Sequence, residues 1–126
     1  EPLNGVTLQL FELGKEGEEM AQEWLTEKGY SIVQRNWRFG KHEIDLIATK
    51  GKFLHFVEVK TRKDSKLGHP EDSVTRKKFK SLQKAADEYL FRHPGHPWIR
   101  YDILAITVYP DPDRQPEFFL IEDVFL

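Results

Sequence analysis

Asp45, Glu58 and Lys60 bring two carboxylates and an ammonium group into two short apolar runs of this chain. The runs are His42-Glu43-Ile44-Asp45-Leu46-Ile47 and Phe56-Val57-Glu58-Val59-Lys60-Thr61, with a turn sequence at Lys50-Gly51-Lys52 between them. A charged side chain that interrupts an apolar strand costs folding free energy unless it is paired or binds something. Two carboxylates held close together repel, and a divalent cation relieves that repulsion. Oxygen donors suit Mg²⁺ or Mn²⁺, which can polarise a phosphodiester oxygen and acidify a bound water. A neighbouring lysine can orient that water or stabilise the charge that develops on phosphorus. The competing account is a salt-bridged hairpin in which Glu58 pairs with Lys60 and nothing else.

The chemistry requires all three side chains on one face of the hairpin. Alternation along a strand puts Glu58 and Lys60 on the face of Leu54 and Phe56. Partner numbers across an antiparallel pair have a constant sum. A two-residue loop at Gly51-Lys52 gives 103 and sets Asp45 opposite Glu58; a loop at Lys50-Gly51 gives 101 and sets it diagonal to Glu58. Either odd sum keeps the three together, whereas an even sum sends Asp45 to the far side. Glycine first in the loop fits a type II′ turn and favours 103.

The elements around this hairpin follow from hydrophobic spacing. Leu13, Gly17, Met20, Ala21, Trp24 and Leu25 recur at helical intervals, predicting a helix from about Leu13 to Lys28 that Gly29 stops. Tyr30 to Phe39 reads as a strand with Ile32 and Val33 inside, and Lys41 to Thr49 and Lys52 to Arg62 as the hairpin. A polar loop with Gly68 and Pro70 leads to a second helix from Ser73 or Val74 to Arg92. Phe79, Leu82, Ala85, Ala86, Tyr89 and Leu90 line its inner face. After the break at His93-Pro94-Gly95-His96-Pro97, strands are expected over Trp98 to Tyr109 and Glu117 to Val124. The order α-β-β-β-α-β-β predicts a mixed sheet flanked by helices, an α/β/α sandwich. Residues 1 to about 12 do not match the following pattern and read as an N-terminal extension to a single domain over 13–126.

Composition narrows the class. A chain of 126 residues, 32% charged and 39% hydrophobic with nine Phe and three Trp, is globular and long enough for one core. No run approaches a membrane span. The lack of Cys removes thiolate metal sites and disulfides and is compatible with a reducing cytoplasm. The net charge of −2 argues against a generally basic nucleic-acid binder, but the distribution is uneven. Lys60 to Lys84 holds seven Lys and two Arg against Asp64, Glu71 and Asp72, or +6, which leaves −8 elsewhere. Such a stripe can face phosphates, with Arg62, Arg76, Lys77 and Lys78 as candidate contacts; a solvated surface is the alternative for each.

In the first helix, Gly17 on the apolar stripe lets the helix press on a sheet, and Glu18 borders that stripe. Acidic residues in a first turn also simply favour the helix dipole, the reading taken for Glu16 and Glu19. Gly14-x-x-Gly17-Glu18, Ala21, Leu25, Gly29-Tyr30, Asn36-Trp37-Arg38, Glu43 to Ala48, Phe56 to Arg62 and Ala85-Ala86 closely resemble the YraN-like family. The match runs in order over residues 13 to 106. That family looks like a branch of the PD-(D/E)XK, restriction-endonuclease-like superfamily, near archaeal Holliday-junction resolvases. The resemblance implies an αβββαβ core and a Mg²⁺- or Mn²⁺-dependent nuclease acting on structured or branched DNA. It puts the metal-binding carboxylates on Asp45 and Glu58, the catalytic lysine on Lys60 and the resolvase-type helix glutamate on Glu18, with the Val59 carbonyl as a further ligand. It also implies a homodimer. Ile44 replaces the motif's Pro, as is usual for this branch, and His42 stands where the family commonly has Gly.

Other residues carry less. Glu43 is expected opposite Lys60 as its ion-pair partner or as support for the site. Gln83 lies on the second helix without the matching local pattern. His93 and His96 read as loop residues, and Trp24, Trp37 and Trp98 as core or sheet packing. The runner-up function is a nucleic-acid-binding or accessory protein that keeps the fold without efficient cleavage, favoured by the acidic net charge. A third is a metal-stabilised interaction protein.

Overall fold

A computed structural model describes residues 5–63 and 75–124, with side chains from residue 15 onward. The expected loop around Gly68 and Pro70 and the expected helix start at Ser73 or Val74 lie outside the described residues.

Five strands form one mixed sheet in the order β1-β2-β3-β4-β5. They are β1 Ser31–Phe39, β2 His42–Lys50, β3 Phe53–Lys63, β4 Ile99–Val108 and β5 Glu117–Ile121. β1, β2 and β3 make an antiparallel meander, β3 and β4 run parallel, and β5 returns antiparallel to β4. Helix α2, Arg76–Arg92, lies in the connection between the parallel strands, as a parallel pair requires a crossover. This is the expected α/β architecture with an αβββαβ core and a strand added.

Each helix covers one face of the sheet. From α1, Ala21 and Leu25 pack with Leu46, Ala48, Val57, Leu104 and Ile106. From α2, Phe79, Leu82, Ala85, Ala86 and Tyr89 pack with Trp37, Ile44, Ile47, Leu54 and Phe56. Thr75 caps α2, its hydroxyl accepting from the Lys78 N–H at 3.2 Å, and the helix ends where the His93 N–H donates to the Tyr89 carbonyl just before Pro94. Among the described residues, no helix is long and apolar enough to cross a membrane.

Four boundaries and placements differ from expectation. Helix α1 spans Gly5–Glu27, so residues 5–12 continue the helix rather than precede it; that stretch has no proline and several good helix formers. Val33 is 49% exposed, because the β1–β2 register shifts between Ile32 and Gln34 and a bulged residue leaves the alternation. Trp98 is 52% exposed and lies against Phe53 and beneath the Lys52 ammonium. β5 stops at Ile121, since Asp123 takes a φ of 56° and turns the chain so that the Val124 N–H reaches the Tyr101 carbonyl at 2.7 Å.

Gly17 sets how closely α1 approaches β3. A β-carbon there would overlap the Thr61 hydroxyl and meet Thr61 Cβ at 3.1 Å, and a β-branched side chain has little freedom to swing aside. Gly17→Ala is therefore expected to lower stability by about 1–2 kcal/mol, the overlap outweighing the gain in helix propensity. In a Thr61→Ala background the same change should cost less, which a thermal-unfolding double-mutant cycle measures. Equal costs in both backgrounds would exclude this contact as the cause.

Candidate functional site

The hairpin adopts the odd register. Leu46 pairs with Val57, Ile47 with Phe56 and Lys50 with Phe53, a sum of 103 with Gly51 and Lys52 in the loop. Gly51 carries the positive φ, 59°, that a II′ turn requires in its first loop residue.

The regular β2–β3 pairing reaches only to Leu46. At the next residue the strand turns over. Ile44 packs on the α2 side and Leu46 on the α1 side, although residues two apart normally share a face. On β1 the pairs Arg35–Leu46 and Trp37–Ile44 bracket Asn36, which takes a left-handed φ of 51°. Asparagine tolerates that conformation better than most residues. Asp45 thus sits at a local break, where its side chain, instead of its backbone, engages β3. The Val59 N–H donates to Asp45 Oδ2 at 2.8 Å.

Burial pushes the Asp45 carboxyl up to about 8, with the negative charge of Glu58 as the next cause. The Val59 N–H opposes the shift, and Glu18 and Glu43 add to it. Asp45 is therefore a carboxyl whose surroundings disfavour its charge, the condition a cation would relieve.

Glu58 is 7% exposed and carries two ammonium partners on Oε1: Lys78 Nζ at 2.8 Å and Lys60 Nζ at 3.6 Å. The Lys60 pKa is lowered by burial and then by Lys78, against the pull of Glu58 and Asp45. Burial also acts against the charge on Lys78, but its hydrogen bonds to Glu58 and Lys60 outweigh that, and its pKa ends raised. The two lysines consequently differ: Lys78 is the firm cation and Lys60 the one eased toward its neutral form.

Glu18 is half-buried on α1 and accepts a 3.2 Å hydrogen bond from Asn36 Nδ2. The residue beside Asp45 across the strand break thus orients the helix glutamate that Asp45 senses. Val59 takes part through its N–H.

The remaining candidates separate. Glu43 pairs with Arg38 at 3.4 Å across β1–β2, not with Lys60, because β2 has left the regular ladder before that point. Lys77 and Lys78 line a basic cleft, whereas Arg62 and Arg76 are not among its walls. His93 caps α2 and stacks on Tyr89. Trp37 is core, and Trp24 stacks on Phe118 at the edge of the α1 cluster. From sequence alone Lys78 is only a candidate phosphate contact, and Asn36 has no role. The signal for Lys78 was its position beside Phe79 and one turn before Leu82, at the border of the buried stripe.

Among the described residues, no three His, Cys, Asp or Glu side chains converge as a metal cage. The donors still fit a hard divalent cation in kind. Mg²⁺ is commonly held by one or two carboxylates, the other positions being filled by water and substrate phosphate, and half-buried Asp45 with buried Glu58 makes a carboxylate pair with charge to relieve.

A model of the family described as Uncharacterised protein family UPF0102 matches residues 17–106, a span that includes Glu18, Asn36, Asp45, Glu58, Lys60 and Lys78. A UPF0102 protein of Chlorobaculum tepidum is 45% identical over 114 residues, which is 89% of this chain and 88% of that protein. A UPF0102 protein of Rhodococcus jostii is 43% identical over 115 residues, 90% of this chain and 95% of its own length. One of Phocaeicola vulgatus is 45% identical over 96 residues, 76% of this chain and 79% of its own. The names of these relatives state no activity.

Proposed function

This chain belongs to the UPF0102 family, and on that premise we propose that it is a divalent-cation-dependent nuclease of the PD-(D/E)XK type. Its substrate in this reading is structured or branched DNA. The observation that carries the proposal is the seat of Asp45 on the Val59 N–H, between Glu58 and its partner Lys60 in the strand, with burial and then Glu58 pushing the Asp45 carboxyl up to about 8. Surface ion pairs do not produce such a strained carboxylate, and strongly perturbed groups gather at functional sites.

Asp45 and Glu58 would hold Mg²⁺ or Mn²⁺, with Glu18 and the Val59 carbonyl as supporting donors. When bound, the cation supplies Lewis-acid polarisation of a phosphodiester oxygen and acidification of water. The Val59 N–H fixes one Asp45 oxygen and leaves the other to turn toward the site. Lys60, whose ammonium lies beside Glu58, positions the attacking water and stabilises the charge that develops on phosphorus. Lys78 holds Glu58 in place.

One observation favours the accessory-protein reading: Glu58 already has two ammonium partners, and a carboxylate so neutralised has less need of a cation. Cleavage of duplex, single-stranded, flap, four-way-junction and RNA substrates with Mg²⁺ or Mn²⁺ separates the two. The nuclease reading expects product with the wild type and none with the double variant Asp45→Asn, Glu58→Gln. Equal traces of activity in both proteins would remove it.

A further inference from the structure

The cleft between the β1–β2 turn and α2, about 560 Å³ in volume, is lined by Lys41, Lys77, Lys78, Lys80 and Lys84. Among the described residues no carboxylate lines it. The arrangement is unfavourable in the free protein. Lys80 and Lys84 are four apart on one helix, where like charges repel. Lys77 and Lys78 stand in the first turn of α2, which has no acidic residue and where the helix dipole disfavours cations. The walls are nevertheless tied together. His42 Nδ1 and Ser81 Oγ share a 2.6 Å hydrogen bond that joins the β1–β2 turn to α2, so the cleft is formed before any ligand arrives.

We propose that this cleft binds the sugar-phosphate backbone of a nucleic-acid strand and delivers it to the Asp45–Glu58 site. Lys78 joins the two places, since it lines the cleft and its ammonium contacts Glu58. An anion is the ligand that offsets a cationic wall at a helix N-terminus in which, among the described residues, Lys78 alone has a carboxylate partner. Length selects a polymer over a single phosphate: Lys77 to Lys84 covers roughly 10 Å of helix at about 1.5 Å per residue. Successive phosphates of one strand can fill that distance, and an isolated ion cannot. His42, standing where the resemblance expects glycine, contributes the clamp that holds the cleft open in this chain.

The inference deepens the nuclease reading and rests on it for the direction in which the strand runs. Its test is independent of cleavage. Fluorescence anisotropy of a labelled oligonucleotide in EDTA, across a salt series, is measured for wild type and for the double variant Lys77→Ala, Lys84→Ala. The control is Lys28→Ala, Lys52→Ala, which removes equal charge at the opposite end of the sheet. The cleft variant is expected to bind roughly tenfold more weakly with a salt slope lower by about two, and the control to match wild type. Pyrophosphate and inorganic phosphate serve as competitors and should displace the strand only weakly. Equal loss in both double variants, no loss in the cleft variant, no binding by wild type at low salt, or displacement by phosphate at the oligonucleotide's own affinity would each overturn the proposal. Weakened binding by the cleft variant alongside absent cleavage by wild type would keep the cleft and remove the nuclease reading. Cleavage with unaltered binding would do the reverse.

Discussion

Asp45→Asn is expected to make the cation-free protein more stable while abolishing its proposed activity. The folded environment raises the Asp45 carboxyl from 3.8 to about 8, so the native state holds this proton more tightly than the unfolded chain does. Below about pH 4 the group is protonated in both states, and that stabilisation is fully present. It is lost progressively as pH rises through 8, where the native state must carry a bare carboxylate against Glu58. Asparagine keeps an oxygen for the Val59 N–H and never charges. The variant should therefore unfold like wild type near pH 4 and gain roughly 2–4 kcal/mol over it above pH 8. Hydrolysis should fall by about 10³-fold or more, because the cation site loses a charged ligand. Saturating Mg²⁺ or Mn²⁺ should raise the Tm of wild type at pH 8 and leave that of Asp45→Asn nearly unchanged. Parallel pH–stability curves for the two proteins would show that no buried repulsion exists at this position.

That prediction depends on a feature only partly legible in the sequence. The odd hairpin register was readable, because Gly51 restricts the turn and the apolar faces of both strands agree with one pairing sum. The inner faces of the helices were readable for the same reason: Phe79, Leu82, Ala85, Ala86 and Tyr89 follow the helical period without exception. The break at Asp45 was not. A period of two assigns Ile44 and Leu46 to one side, and nothing local says that they part to opposite cores. The left-handed Asn36 that accompanies the break is a backbone event, visible in sequence only as a residue able to adopt it. Extending the regular ladder three residues past Leu46 also gives the expected Glu43–Lys60 pair, where the structure pairs Glu43 with Arg38. The role of Lys78 is hidden for a different reason. Its contact with Glu58 depends on how α2 is rotated over the sheet, and spacing places a border residue on either side of that line.

The two lysines on Glu58 should fail in opposite ways when removed. Lys60→Ala is expected to lower kcat by about 10²–10³-fold, with little change in Tm or in DNA binding. Lys60 is the more distant partner of Glu58, at 3.6 Å, and burial together with Lys78 already lowers its pKa. Lys78→Met should instead act first on stability. It removes the 2.8 Å partner of a carboxylate that is 7% exposed and leaves Lys60 to compensate at longer range, a loss of about 1–2 kcal/mol in EDTA. If Asp45 and Glu58 hold a cation, Mg²⁺ or Mn²⁺ should restore much of that loss, so the metal-induced rise in Tm becomes larger in Lys78→Met than in wild type. If Lys78 permanently takes the cation's place, as an accessory protein would have it, the variant stays destabilised at every metal concentration. Thermal unfolding of the four combinations of variant and metal decides between these outcomes without reference to any substrate. A metal response identical in wild type and Lys78→Met would mean that Glu58 is not shared between lysine and cation, and the proposed ligand pair would fail.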